Sequence, residues 1–428
     1  MNRQEAEDYI YASYLRARDN WDYDSPDSLK RSPSLSRNIL RSLSGTPTAV
    51  ITGSKGKGSI AAILSAILGS ELKIGRFTSP HISDFRERIW MDGQIISEND
   101  FIFHIEKIKP EFDKIQGSLP PDKCISPIAV QTALALSFFN TRSTDFNILE
   151  CGKGARYDDV SNVLHEYAVI NTIFLEHTRE LGNTLKEIAE DKSHVITGEQ
   201  KCVYVGPQTP EVLSVIKDRA LKLEVPLKIY GEDFKADNIS YSLKGMTFDF
   251  VSDKEVIKDI KIPLLGEHQA KNSAVAIALS KDILGHLKRE KIEKPLSTLS
   301  WPGRMQIISD NPFIMLDACI NAASTQNVKE TLKYLKTEGV TLIIGIPQDK
   351  DYLGVAKEMK NYASQIILTK SRNPHYLFSP RQVEILHDNK IEAIWREDVW
   401  EAIEYSRKIG NPTVILGTTS LITDVLKG

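Results

Sequence analysis

Short apolar runs alternate with longer helix-like stretches along most of the chain. TAVITG (48–53) reads as a buried strand closed by glycine, and IAAILSAILGSEL (60–72) as a buried or amphipathic helix. FNILECG (146–152) and YAVINTIFL (167–175) read as further strands, followed by FIMLDA (313–318), VTLIIGI (340–346), SQIILT (364–369) and PTVILG (412–417). Unbroken Val/Ile/Leu runs mark strands covered on both faces, so the alternation predicts parallel sheets flanked by helices. Segment 228–262 differs: residues alternate and turn signals recur, which predicts a small antiparallel appendage to the first domain.

At 428 residues the chain exceeds what one core usually organises, so two domains are expected. The charged and then Pro- and Gly-containing stretch HLKREKIEKPLSTLSWPGR (286–304) is the natural boundary. The expected division is 1–297 and 298–428. The fold class expected is α/β: a P-loop-type, mostly parallel-sheet ATPase domain followed by a smaller Rossmann-like domain.

Composition narrows the function classes. Charged residues make up 26% and the net charge is -3, which excludes a general nucleic-acid or membrane-surface binder. No apolar run nears the roughly 20 residues of a membrane helix, and the polar N-terminus is not a signal peptide, so a cytoplasmic protein is expected. Cys124, Cys151, Cys202 and Cys319 lack metal-type spacing and read as reduced structural thiols.

The strongest chemical signal is TGSKGKGS, Thr52 to Ser59, between the first strand and its helix. Glycines allow a tight turn in which backbone N–H groups face one anion, and the helix N-terminus adds positive potential. Gly53, Ser54, Lys55, Gly56, Lys57, Gly58 and Ser59 are thus candidate phosphate-binding residues, with Lys57 on the terminal phosphates and Ser59 on magnesium. The spacing is short, since only Ser54 and Lys55 separate Gly53 from Gly56. Glu150 and His177 follow strands, where ligands gather in open parallel sheets. They are either metal ligands beside the phosphates or a solvated acid and a surface histidine. Taken alone, Lys192 reads as a surface lysine, Arg304 as a structural or phosphate-clamping arginine, and Gln269 and Asn272 as helix-end polar groups or base contacts.

Together these motifs resemble the folylpolyglutamate/dihydrofolate synthase family of the Mur ligase superfamily. The likeness spans TGSKGKGS, FTSPHISDFRERI, ECGKGARYDDVSN, LEHTRELGNTLKEIAEDKSHVI, GEHQAKNSAVAIAL, WPGRMQ, DACIN, PQDKD and NPHYLFSP. It implies ATP and two Mg2+ ions, held by Ser59, Ser79, Glu150, His177 and Lys192, with Lys192 carbamoylated. It implies nucleotide contacts from Gln269, Asn272, Arg304 and Asp317, and catalytic roles for Lys57, His177, Lys192 and Arg304. His81, Arg88, Ile128, Ala129, Asp317 and Ile320 fall in its substrate-binding stretches. The activity implied is formation of an acyl phosphate on a carboxylate, a folate above all, and its coupling to an amino acid, L-glutamate, by a monomeric enzyme. Ile320 stands where the family has histidine, Ile128 and Ala129 replace a Phe-Glu pair, and Lys55 replaces asparagine. These departures leave open a Mur-type ligase for another acid and amine, and more remotely a nucleotide-binding protein without catalysis.

Overall fold

The computed structural model describes residues 1–22 and 25–428. Its first sheet contains β1 (Thr48–Thr52), β2 (Ile74–Phe77), β3 (Ile89–Met91), β4 (Gln94–Ile95), β5 (Phe146–Glu150), β6 (Tyr167–Ile170), β7 (Cys202–Val205) and β8 (Leu227–Ile229). The spatial order is β4-β3-β2-β5-β1-β6-β7-β8. β2 and β5 through β8 run parallel with β1; β3 reverses direction, and β4, antiparallel to β3, turns back to the direction of β1. On β1, Ala49 and Ile51 pack with Ile60, Ile63, Leu64 and Ile67 of helix Lys57–Leu68. Val50 points the other way, into a core with Ala133, Leu134 and Phe138 of helix Pro127–Arg142. Both faces are covered, which is why this strand carries no polar alternation.

β9 (Phe234–Ser242), β10 (Gly245–Ser252) and β11 (Glu255–Ile262) form the antiparallel appendage. Its start differs from expectation. Leu227–Ile229 instead adds to the first sheet, parallel to β7, because its backbone completes that sheet's edge. The strand read over 167–175 likewise stops at Ile170, and Leu175 is exposed in the loop beyond.

The last sheet holds β12 (Gln306–Asp310), β13 (Phe313–Asp317), β14 (Val340–Gly345), β15 (Ala363–Leu368), β16 (Ile394–Trp395) and β17 (Thr413–Gly417), in the order β12-β13-β17-β14-β15-β16. Only β12 is antiparallel to its neighbour. Ile314 and Leu316 face helices Val399–Ile409 and Thr419–Lys427, while Met315 joins the core that begins under β1. That shared core ties the two sheets through the appendage. Helix Arg3–Ala17, closed by an Asn2–Glu5 capping box, packs on helices Glu98–Gly117 and Pro127–Arg142. Among the described residues no helix is long and apolar enough to cross a membrane.

Candidate active site

The phosphate-loop sequence folds as a turn from β1 into helix Lys57–Leu68. Gly56 has φ +78°, and a Cβ there would lie 2.5 Å from the Asn171 amide nitrogen, so both conformation and space require glycine. Asn171 Nδ2 donates to the Lys55 carbonyl at 2.7 Å and to Asn272 Oδ1 at 2.9 Å, and Asn272 donates to Gln269 Oε1 at 3.1 Å. Gln269 and Asn272 are buried. Their amides are engaged with one another and with Asn171, so they brace the loop from behind. Ser54 Oγ bonds to Phe174, accepting its N–H at 3.1 Å. Ser59 is buried in the first turn of the helix.

Two lysines meet at this turn. Lys57 Nζ and Lys192 Nζ each donate to the Gly53 carbonyl at 3.1 Å. Lys192 is 1% exposed, so the surface position read from LKEIAEDK is wrong. Helix Leu185–Ser193 turns this residue inward, where Glu176 pairs with it at 3.0 Å. Burial lowers the Lys192 pKa, with Glu176 opposing and Lys57 reinforcing the shift.

Glu150 ends β5 beside the loop, 4% exposed, and its Oε2 accepts the Ser79 N–H at 3.0 Å. Burial raises its pKa, while Lys57, the Ser79 N–H and Arg304 pull it back. Ser79 therefore meets Glu150 through its backbone. His177 sits at φ +48° with its side chain half exposed, and its nearest ion-pair partner is Glu180, at 3.8 Å. Partial burial lowers its pKa, so neutral imidazole is favoured.

From the other sheet, Asp317 ends β13 and accepts the Met305 N–H at 2.9 Å. Its carboxyl is raised by burial, against the pull of Lys55 and Arg304. Lys55 crosses between the sheets and contacts the Ser324 hydroxyl in the first turn of helix Ala322–Tyr334. Ile320 packs against the apolar core. Nothing in the sequence singled out Asn171 or Ser324, because each acts through a partner far along the chain.

On the FTSPH side, Arg88 Nε donates to His81 Nδ1 at 3.0 Å and Arg88 Nη1 donates to Gln131 Oε1 at 2.8 Å. Gln131 lies one turn beyond Ile128 and Ala129, at the start of the same helix. Ala129 is fully buried in the core and Ile128 packs on its edge.

A glycine-built turn and four cations, Lys55, Lys57, Lys192 and Arg304, fit a polyphosphate. Among the described residues no three His, Cys, Asp or Glu side chains gather to hold a metal. One buried carboxylate, Glu150, beside the phosphate loop still fits magnesium, which dehydrates reluctantly and takes one or two carboxylates plus substrate phosphates.

The Mur ligase middle domain family matches residues 51–280. A dihydrofolate synthase/folylpolyglutamate synthase of Bacillus subtilis is 28% identical over 391 residues, covering 88% of this chain and 89% of that protein. Folylpolyglutamate synthase from Thermotoga maritima superposes with a TM-score of 0.83 at 26% identity, over 99% of this chain and 96% of that one. An FPGS–AMPPCP–folate complex gives 0.83 at 25% identity over the whole of both chains.

Proposed function

The chain belongs to the Mur ligase family, and from that premise we propose that it is an ATP-dependent ligase adding L-glutamate to a folate-type carboxylate. The observation that carries the reading is the convergence of Lys57 and Lys192 on the Gly53 carbonyl, beside buried Glu150. The likeness to folylpolyglutamate synthases over nearly the full chain gives the substrate class.

A carboxylate is a poor acylating agent, so its oxygen must first attack the γ-phosphate of ATP. Lys57, reaching from the loop, and Arg304, from the start of the other half, offset the charge that builds there. Magnesium, when bound by Glu150, the Ser59 and Ser79 hydroxyls and His177, would supply Lewis-acid neutralisation of the phosphates. Lys192 contributes in one of two forms. As an ammonium it adds to the cation pair; as a carbamate it would be a second metal-side anion. Its lowered pKa and burial favour the free amine that carbamate formation requires. The amine of the amino acid then displaces phosphate from the acyl phosphate through a tetrahedral intermediate. The Lys55–Ser324 contact spans both halves and favours a closed arrangement that keeps water from that intermediate. A need for ATP supports a cytoplasmic setting, and in this reading residues 1–297 hold the phosphates while 298–428 complete the site.

Ile320 offers the incoming amino acid no polar group, so a different amine is the second reading. A panel of acids and amines scored by ADP release separates them. Release that requires a reduced folate and L-glutamate supports the first reading; release with another pair alone selects the second.

A further inference from the structure

Arg76 belongs to no motif of the active site, yet it is the most unusual charge near it. On β2, Gly75 and Phe77 face helix Pro127–Arg142 and the core beneath it. Arg76 takes the opposite face, toward the phosphate loop. The residue is 8% exposed, and among the described residues its Nε has no hydrogen-bond partner and its guanidinium no ion-paired carboxylate. Two indoles lie over it instead. Its guanidinium carbon lies 4.7 Å from the Trp90 ring centre and 5.4 Å from that of Trp301. Burial lowers its pKa to about 10, with the Glu150 charge opposing. An unpaired buried guanidinium is costly, and indole faces are the best aromatic compensation for it.

The two indoles differ in attachment. Trp90 sits opposite Arg76 in the β2–β3 pair and is fixed by the sheet. Trp301 belongs to the connecting turn WPGR, three residues before Arg304. Its ring also abuts the phosphate loop: a Cβ on Gly58 would lie 2.8 Å from Trp301 Cζ2 and 3.3 Å from Glu150 Oε2. One indole is therefore held between a buried cation and the loop.

We propose that Arg76 is a positioning residue whose grip on Trp301 pins the 301–304 turn against Gly58 and thereby sets the place of Arg304 over the phosphate loop. The grip is a property of the chain itself; only its kinetic consequence rests on the ligase reading. A guanidinium that merely filled space would stabilise the sheet as a whole. One that pins the turn controls a local segment, and its loss is felt in turnover more than in nucleotide affinity.

Hydrogen exchange on the full chain, read by mass spectrometry, tests this with Arg76→Met, Arg76→Lys, Trp301→Leu and the Arg76→Met/Trp301→Leu pair. Arg76→Met is expected to speed exchange across 299–305 by about tenfold, with β9–β11 unchanged. Arg76→Lys, which keeps a cation over the ring, recovers part of the protection. The double variant is no faster than either single one, because both remove the same contact. In ADP release, Arg76→Met lowers kcat by about tenfold while the KM for ATP moves by less than about threefold. Unchanged exchange at 299–305 would overturn the proposal. So would equal acceleration throughout the first sheet, or additive effects in the double variant. A wild-type chain that releases no ADP with any acid–amine pair would sink the ligase reading, while the exchange pattern still decides the role of Arg76.

Discussion

Lys57 and Lys192 share one acceptor: both ammonium groups donate to the Gly53 carbonyl at 3.1 Å, although they come from opposite ends of a 135-residue separation in sequence (192 − 57). One carboxylate, Glu176, pairs with Lys192. Two adjacent cations in a mostly buried turn are unfavourable on their own, and a polyphosphate relieves that repulsion.

Lys57→Ala should therefore act on turnover more than on folding. ADP release should fall on the order of 10²–10³-fold, with a melting temperature near that of wild type. Steady-state kinetics with a thermal melt checks both halves. A rate close to wild type would remove the loop from the mechanism.

Lys192 should respond to bicarbonate. Its lowered pKa leaves more free amine at a given pH than a surface lysine has, and carbamate formation should rise with pH. Depleting carbon dioxide should lower activity reversibly, and Lys192→Met should abolish that dependence along with most of the rate. Intact-mass measurement under bicarbonate reads the adduct directly. Equal activity with and without bicarbonate would leave Lys192 as an ammonium.

Glu150 supplies the pH prediction. Its carboxyl is raised above its ordinary value by burial, so the folded state keeps the proton to higher pH than the unfolded chain. The cost of the charge thus begins as pH rises past the unfolded value and is complete above the folded one. Glu150→Gln should stabilise the metal-free protein at neutral pH, raising Tm by about 2 °C or more, and should erase stabilisation by Mg2+. In wild type, Mg2+ affinity should weaken on acidification from neutral pH sooner than an ordinary carboxylate would allow. Titration of Tm against Mg2+ at several pH values gives the result; Mg2+ stabilisation surviving in Glu150→Gln would contradict the assignment.

The legible parts of this molecule were local. Thr48–Thr52, Phe146–Glu150, Val340–Gly345 and Thr413–Gly417 are buried at every position, and each stood out as a continuous apolar run. The phosphate loop was readable because glycines, lysine and hydroxyl lie within eight residues, Thr52 to Ser59. Helix Arg3–Ala17 was not singled out, since only Ala6, Ile10 and Ala17 are buried and its periodicity is faint. Lys192 looked like a surface lysine because LKEIAEDK is charged, and only the packing of its helix against the loop turns it inward. The Asn171–Asn272 brace joins residues 101 positions apart, a relation that no local pattern carries.

Lys55 should matter less than Lys57 but in a distinct way. Its contact with Ser324 joins the two halves, so Lys55→Met or Ser324→Ala should lower kcat/KM for ATP by about three- to tenfold without abolishing turnover. Comparing both variants with Lys57→Ala in one assay decides it. A loss as large as that of Lys57→Ala would make Lys55 a direct phosphate ligand, and no loss would make the contact incidental.

The central claim is ATP-driven transfer of glutamate to a folate-type acid. Its most direct measurement is the product mass after incubating the protein with ATP, Mg2+, tetrahydrofolate or dihydropteroate, and L-glutamate. The account predicts an acceptor heavier by one glutamyl unit, formed in step with ADP and absent when ATP or glutamate is withheld. Unchanged acceptors of both kinds, alongside ADP release driven by another acid, would contradict it.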